Sequence, residues 1–404
     1  MTAPAERMAA AGRVDRIGLV GVALSLAFAA LTWLQPAWAD RLQSAWFDAY
    51  QSLAPRQVSV LPVTVVEIDQ KSLAAVGQWP WPRTQLARLV STVNRADAAA
   101  IGLNILMPEA DALSPERLLT ESTVQDRSVV AALRSLISHD AVLAGALASS
   151  PSVLAFVGTS EATRTPLRAA PITVQTKRAD GDAAELAIAR HAGALTSIDE
   201  LNRQASGWGL ISVDPTRGIV RRIPLVASVQ GTLVPALAIE MLRVAYRAPS
   251  IRLTAAGASV TGLDVGAVRL RTEKDGAVRV YYSRHRADRF VSAIDVLEDR
   301  VDPALLRKQM VLIGPTAFGL QELQDTPIGE RMSGSEIQAQ LLENLLDGTL
   351  LHRPRWAPGV EALLVLVFGS ILVWAMRRLH PLTAALLMLV LVALPVLGAF
   401  GLYR

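Results

Sequence analysis

The sequence predicts a mixed-sheet α/β domain carried on transmembrane helices. Composition is the first observation behind that prediction: 404 residues, 51% apolar and only 19% charged, with a mean hydropathy of +0.33. Soluble domains carry about 25% charged residues. The second is the placement of long uncharged apolar stretches near both ends of the chain. The third is the alternation of strand and helix patterns across residues 40–355, which favours helices packed on a sheet. A disordered chain, a coiled coil and a simple cytosolic enzyme are excluded.

The apolar stretches come first along the chain. Residues 17–39 hold no charge and at 1.5 Å per residue reach across a hydrocarbon core of about 30 Å. Trp33 and Trp38 stand near the far end, where amphipathic rings favour the headgroup layer. Two readings remain open, an uncleaved anchor or a signal peptide cut after Ala39. Either one exports the segment that begins at Asp40. Residues 357–376 and 381–403 form two further stretches, separated by Arg377, Arg378, Leu379 and His380.

Charge sets the orientation. The chain carries a net +4 and a pI near 9.7, but most of the excess lies in the tail 1–16 and in the last segment, beside apolar stretches. The middle is almost neutral, so no nucleic-acid partner is expected. Arg7, Arg13 and Arg16 share a side with Arg377 and Arg378 only if residues 40–355 are outside. That makes residues 1–16 a cytoplasmic tail, and the lipid bilayer an expected partner. The absence of cysteine excludes disulfides and thiolate chemistry.

Within 40–355, the β-branched run at 63–68 predicts a strand, and Asp69 to Leu73 a turn into a short helix. The spacing of Leu86, Leu89, Val90 and Val93 predicts a helix over 84–96. A buried strand is expected at 99–107, one or two helices at 129–147, and another strand at 151–158. Residues 160–185 are polar and irregular, which predicts a long loop. Residues 209–213 and 218–226 flank Asp214-Pro215-Thr216-Arg217, which predicts a hairpin. A helix is expected at 233–246, short strands through 251–283, a buried strand at 310–314 and a helix at 335–346.

Candidate functional residues are few. Gln78-Trp79-Pro80-Trp81-Pro82-Arg83 is stiffened by two prolines. Its rings could wall an apolar pocket, with Arg83 offering a planar fork to a carboxylate or phosphate. Alternatively they plug the core while Arg83 pairs with an Asp. The strand ending at Gly314, followed by Asp325-Thr326, resembles the place where α/β sheets put ligands; the other reading is a strand-end turn. There is no phosphate loop, nucleophile elbow or paired zinc-binding His motif, so no cofactor and no metal are expected. Asp69, Asp111 and Asp325 could converge as a catalytic set, the basis of an alternative reading as an exported hydrolase.

Taken in order, Val65-Val-Glu-Ile-Asp69-Gln-Lys-Ser72-Leu73, Gly77 through Arg83, and Ala100-Ile-Gly-Leu-Asn104 resemble the opening of a CHASE2 domain. Gly209 to Asp214 with Gly218 to Leu225 resembles its middle. Val311 to Gly314, Asp325-Thr326-Pro327 and Gly334-Ser-Glu336-Ile-Gln-Ala339 resemble its end. The resemblance implies an extracytoplasmic sensory domain of a bacterial receptor, signalling to a histidine kinase, nucleotide cyclase or Ser/Thr kinase. Asn104 stands where the family usually has Asp, and two spans come after the domain where the family usually has three. The expectation is therefore the sensor portion of a receptor in the bacterial inner membrane, not itself an enzyme, with any catalytic output beyond residue 404. A homodimer and an unidentified extracytoplasmic ligand are the expected partners. Asp69, Trp79, Trp81, Arg83, Asn104, Asp325 and Thr326 are the expected ligand-site or hinge residues. A membrane scaffold without output is the remaining alternative.

Overall fold

A computed structural model describes residues 3–34, 37–121, 126–163, 167–176, 185–213, 218–320, 322–351 and 356–403. The chain divides into two units, residues 55–352 and a unit made of residues 1–54 with 353–404.

The larger unit is built on one seven-stranded sheet. Six strands are parallel: β1 (Val63–Ile68), β2 (Ala100–Leu103), β3 (Ser152–Thr159), β4 (Gly207–Leu210), β5 (Phe290–Ser292) and β6 (Met310–Pro315). They lie in the order β5-β1-β6-β2-β3-β4, and Gly193–Leu195 adds an antiparallel pairing at the end of β3, so the sheet is mixed. Strands buried on both faces read as continuous apolar runs, which is why β1, β2 and β6 are legible in the sequence.

Side-chain alternation divides the core. Val66, Ile68, Ile101, Leu103, Val311 and Ile313 face one layer, beneath α4 (Arg83–Arg95) and α5 (His139–Ala148). The short helices α3 (Gln70–Val76), α6 (Asp199–Gln204) and α8 (Ala293–Leu297) complete that layer. Val63, Val65, Ala100, Met310 and Leu312 face the other, beneath α7 (Leu237–Ala245) and α9 (Gly334–Asp347). A four-stranded sheet, with Ile251–Ala256 central and Ile172–Thr176 at its edge, packs on this second layer.

Helix α7 approaches the sheet through missing side chains. A Cβ on Gly209 would overlap the Leu237 backbone, one on Gly207 the Glu240 carboxylate, and one on Gly102 the Met241 sulfur. This corrects the expected hairpin: β4 is drawn into the central sheet beside β3, where its glycines admit α7. Arg222–Pro224 instead pairs with Ala277–Arg279. The expected turn at 214–217 lies outside the described residues. The expected loop at 160–185 contains the strand Ile172–Thr176, held by backbone pairing and too polar and exposed to show an apolar pattern. Its residues 164–166 and 177–184 also lie outside the described residues. The helix expected from residue 233 begins at Leu237, because Thr232–Pro235 pairs as a strand with Val226–Val229.

In the smaller unit, α1 (Ala3–Leu34) packs antiparallel on α10 (Ala357–Arg378): Gly21 lies against Val373, Ser25 against Gly369, and Trp33 against Gly359. Small residues let helix backbones approach in lipid, and the Ser25 hydroxyl donates to the Gly21 carbonyl at 2.8 Å. A second helix, α2 (Ala37–Leu53), rests on α11 (Pro381–Tyr403): the Tyr50 hydroxyl donates to the Val396 carbonyl at 3.1 Å, and its ring lies 5.5 Å from Phe400. Ala357–Met376 and Pro381–Gly401 are long and apolar enough to cross a membrane, and α1 contributes the 17-residue apolar run Gly18–Leu34. Arg127–Ala148 meets the same measure by composition. It is broken at residues 136–138, however, and α5 buries Asp140, Leu143 and Leu147 inside the larger unit.

Gly209→Ala is expected to lower the melting temperature of the full chain in detergent by several degrees, since overpacking costs roughly 1–3 kcal/mol. The exposed, side-chain-unhindered Gly257, at a φ of 59°, should cost less when changed to Asn.

Candidate functional site

Neighbouring strands β1 and β6 send the chain to opposite faces of the sheet. After β1 the chain passes to α3 and α4 in one layer; after β6 it passes to α9 in the other. In parallel sheets a divergence of this kind marks the carboxyl-end crevice where ligands are held. Glu67 stands there on β1 and Asp69 just after it, Asn104 after β2, and Gly314 and Pro315 at the end of β6 with Thr316 following.

The strand ends are tied across this crevice. Thr316 donates its hydroxyl to Glu67 at 3.0 Å and its N–H to the Ile68 carbonyl at 3.1 Å. Asp69 caps α3, accepting from the Ser72 N–H at 2.8 Å, and also accepts from the Ser292 hydroxyl at 2.8 Å. Asn104 donates its amide to the Ser335 hydroxyl at 2.9 Å. Gly314 leaves room for that hydroxyl, which a Cβ would displace.

Helix α9 carries the charged wall. Ser333 caps it, accepting from the Glu336 N–H at 3.2 Å, and the Glu336 carboxylate turns to His285 and Arg289. The His285 Nδ1 lies 3.1 Å from both carboxylate oxygens of Glu336, and the His285 N–H donates to Glu330 at 2.8 Å. Beneath them Arg289, fully buried, donates to Glu336 at 3.2 Å and to both oxygens of Glu343 at 2.8 and 3.1 Å. Glu343 also pairs with Arg56, whose other nitrogen reaches Asp347 at 3.1 Å.

Burial pushes the Glu67 carboxyl up, aided by the nearby Asp69 and Glu336 charges and opposed by Thr316 and His285. Burial likewise raises Glu336, against the pull of His285 and Arg289. A raised carboxyl holds its proton more tightly in the folded chain. Its stabilising contribution is therefore full below the ordinary value of 4.5 and is lost as pH rises through the folded value.

The other sequence-predicted residues lie elsewhere. Trp81 is 1% exposed in the α4 layer, donates its indole N–H to the Gly77 carbonyl at 2.9 Å and packs 6.1 Å from the half-buried Trp79. The Trp79–Pro80 peptide is cis. Arg83 turns its guanidinium to Asp140 at 3.5 Å and to the Glu109 carbonyl at 3.3 Å, while its backbone N–H donates to Asp111 at 2.7 Å. Asp325 is exposed beside Arg331, 3.5 Å away, in the hairpin before α9. Thr326, buried, closes that hairpin by donating its hydroxyl to the Glu330 carbonyl at 2.7 Å, which helps place the Glu330 carboxylate on His285. Among the described residues, no hydrogen bond or ion pair joins Asp69, Asp111 and Asp325. The structure thus brings Asp69 and Asn104 to one sheet edge, with Thr326 supporting it through Glu330.

Sequence reasoning missed Glu67, His285, Arg289, Thr316 and Glu336. One available signal was the Ser333-x-x-Glu336 capping box. Another was the recurrence of Glu336, Gln340 and Glu343 along one side of a helix otherwise built of Ile337, Leu341 and Leu345.

Arg289→Met removes the cation between two buried carboxylates and is expected to cost about 3–5 kcal/mol, read as a loss of thermal stability. Glu67→Gln retains an acceptor for Thr316. It is expected to raise the melting temperature at pH 7.5 and to leave it unchanged near pH 4; a variant less stable than the parent at pH 7.5 contradicts the assignment.

No curated protein and no solved structure matches the chain. The family model described as CHASE2 domain matches residues 22–376, from within α1 through the whole larger unit and into α10. With most of its length matched in this way, the chain belongs to the CHASE2 domain family of extracytoplasmic sensory domains.

Proposed function

We propose that this chain is the sensory part of a bacterial inner-membrane receptor that binds a small extracytoplasmic ligand in the crevice between β1 and β6. The observation that carries the reading is the divergence of the chain at that crevice, lined by Glu67, Asp69, Asn104 and Thr316. Its far wall is α9, the last helix before the membrane segment that starts at Ala357. A ligand preferring one position of α9 shifts the population toward it, by no more than its differential affinity. Trp79, Trp81 and Arg83 act as a fixed wall of the opposite layer, and Asp325 with Thr326 as the hinge that delivers Glu330.

In this reading the chain is not an enzyme. It works as a homodimer in the lipid bilayer, with residues 40–355 outside, and relays to a cytoplasmic histidine kinase, nucleotide cyclase or Ser/Thr kinase. The charge pattern supports the orientation, since Arg13, Arg16 and Arg378 flank apolar helices on one side.

Two measurements test it. An alkaline phosphatase fused within residues 160–185 should be active in cells, and one fused at His380 inactive; the reverse pattern overturns the topology. The full chain in nanodiscs, screened by thermal shift against pools of small polar metabolites, should find a stabilising pool, worth about 2.7 kcal/mol at a hundredfold excess over Kd. That shift should shrink in Asn104→Leu, and the ligand should be recovered unchanged. Turnover of the compound instead favours an exported hydrolase.

A further inference from the structure

Residues 280–286 run extended along α9 between the strand Ala277–Arg279 and β5. Their bonds to the helix obey a regular spacing. Tyr281 N–H donates to the Asn344 side-chain oxygen at 2.8 Å, and the Asn344 amide nitrogen donates back to the Tyr281 carbonyl at 3.1 Å. Ser283 N–H donates to the Gln340 oxygen at 2.7 Å, and the Gln340 nitrogen donates back to the Ser283 carbonyl at 3.0 Å. His285 then meets Glu336 through its ring at 3.1 Å.

Every second residue of the strand thus meets every fourth residue of the helix, in opposite directions. The geometry permits it because two strand residues advance about 6.8 Å and four helix residues about 6.0 Å. Each side-chain amide does what a neighbouring β-strand would do, offering one acceptor and one donor to the same residue. Residues Ser335 to Leu345 are all buried, so these rungs also satisfy polar groups that water does not reach.

The even-numbered side of the strand holds a different partner. The Tyr282 carbonyl accepts from the Arg56 N–H at 2.9 Å, in the chain entering the domain. One step before the ladder, the Arg279 carbonyl accepts from the Leu351 N–H at 3.3 Å, in the chain leaving α9. The outer rung is different again. The His285 side chain is 58% exposed, and its partner Glu336 directly follows Ser335, whose hydroxyl accepts from the Asn104 amide at 2.9 Å where β2 ends.

We propose that residues 279–285 form a rigid linkage that couples the crevice to both chain connections of the domain, with the His285–Glu336 rung as its input and the Arg56 and Leu351 backbone bonds as its output. This deepens the sensory reading of the crevice, but the linkage is testable without any ligand. The charged groups around the input rung are Glu67 from β1, Glu330 with its partner Arg284 from the flanking turns, and Arg289 below.

Amide hydrogen exchange on the full chain in nanodiscs tests it. His285→Ala changes an exposed side chain and should leave the fold intact. It is expected to speed exchange about tenfold at Ser283, Tyr281, Arg56 and Leu351, while Ser259–Val265 stays unchanged as a remote control. Gln340→Glu, or Asn344→Asp if the first fails to fold, keeps the acceptor but loses the donor of an inner rung. Adding His285→Ala to that variant should produce no further change at Arg56 and Leu351. The linkage is overturned if His285→Ala alters exchange only beside His285 and Glu336, or if the two substitutions act additively at the connections. Failure of the ligand screen with a positive exchange result would remove the crevice as a ligand site and leave the linkage standing.

Discussion

Arg289 is fully buried, and its surroundings explain much of the larger unit. A guanidinium removed from water costs several kcal/mol unless its donors are met by charge and geometry together. Here Glu343 accepts two donors as a fork and Glu336 accepts a third. Both carboxylates come from α9, about two turns apart, so the arginine fixes the helix lengthwise against the chain that leads into β5. Arg56 pairs with Glu343 from the other side, which brings the beginning of the domain to the same helix. The ion network holds in register segments that lie far apart in sequence. Its value for stability is modest compared with an apolar substitute, but losing one partner is severe.

That arrangement lets a buried helix be polar. Helix α9 shows Ile337, Leu341, Leu342 and Leu345 to the core, and Glu336, Gln340, Glu343 and Asn344 to the 280–289 segment. The polar side is satisfied by an extended backbone and a buried cation, and the apolar side by the sheet. On the same face, α7 descends onto glycines instead of large side chains, while α9 meets the sheet edge near Asn104 and Gly314. The divergence between β1 and β6 results from these two packings: α4 takes one face, α9 the other, and polar strand ends remain between them.

The smaller unit obeys a different balance. Its helices include stretches long and apolar enough to cross a membrane, and they meet by close approach through Gly21, Ser25, Gly359 and Gly369, as small residues allow between helices in lipid. The Ser25 hydroxyl bonds within its own helix and the Tyr50 hydroxyl finds a carbonyl on α11, so neither is left unsatisfied.

The sequence by itself determined the elements whose signal is local. Runs of Val and Ile buried on both faces marked β1 and β6; helical spacing marked α4; and uninterrupted apolar length marked α10 and α11. Ordered motifs from Val65 to Ala339 were enough to identify the family. Only the tertiary structure decided which residues meet. Trp81 and Arg83 were conspicuous in sequence because they are rare and stiffly spaced, yet Trp81 is core and Arg83 belongs to Asp140. Glu67 was hidden inside a strand run, and His285, Arg289 and Glu336 carried no mutual spacing to read, because they come together across some fifty residues of intervening chain. The strand at 172–176 left no trace for the same reason: its partner lies far along the chain, and backbone pairing is indifferent to side-chain polarity. Local pattern reports the face an element must bury, while a site made by the convergence of separate segments is set by how those faces stack.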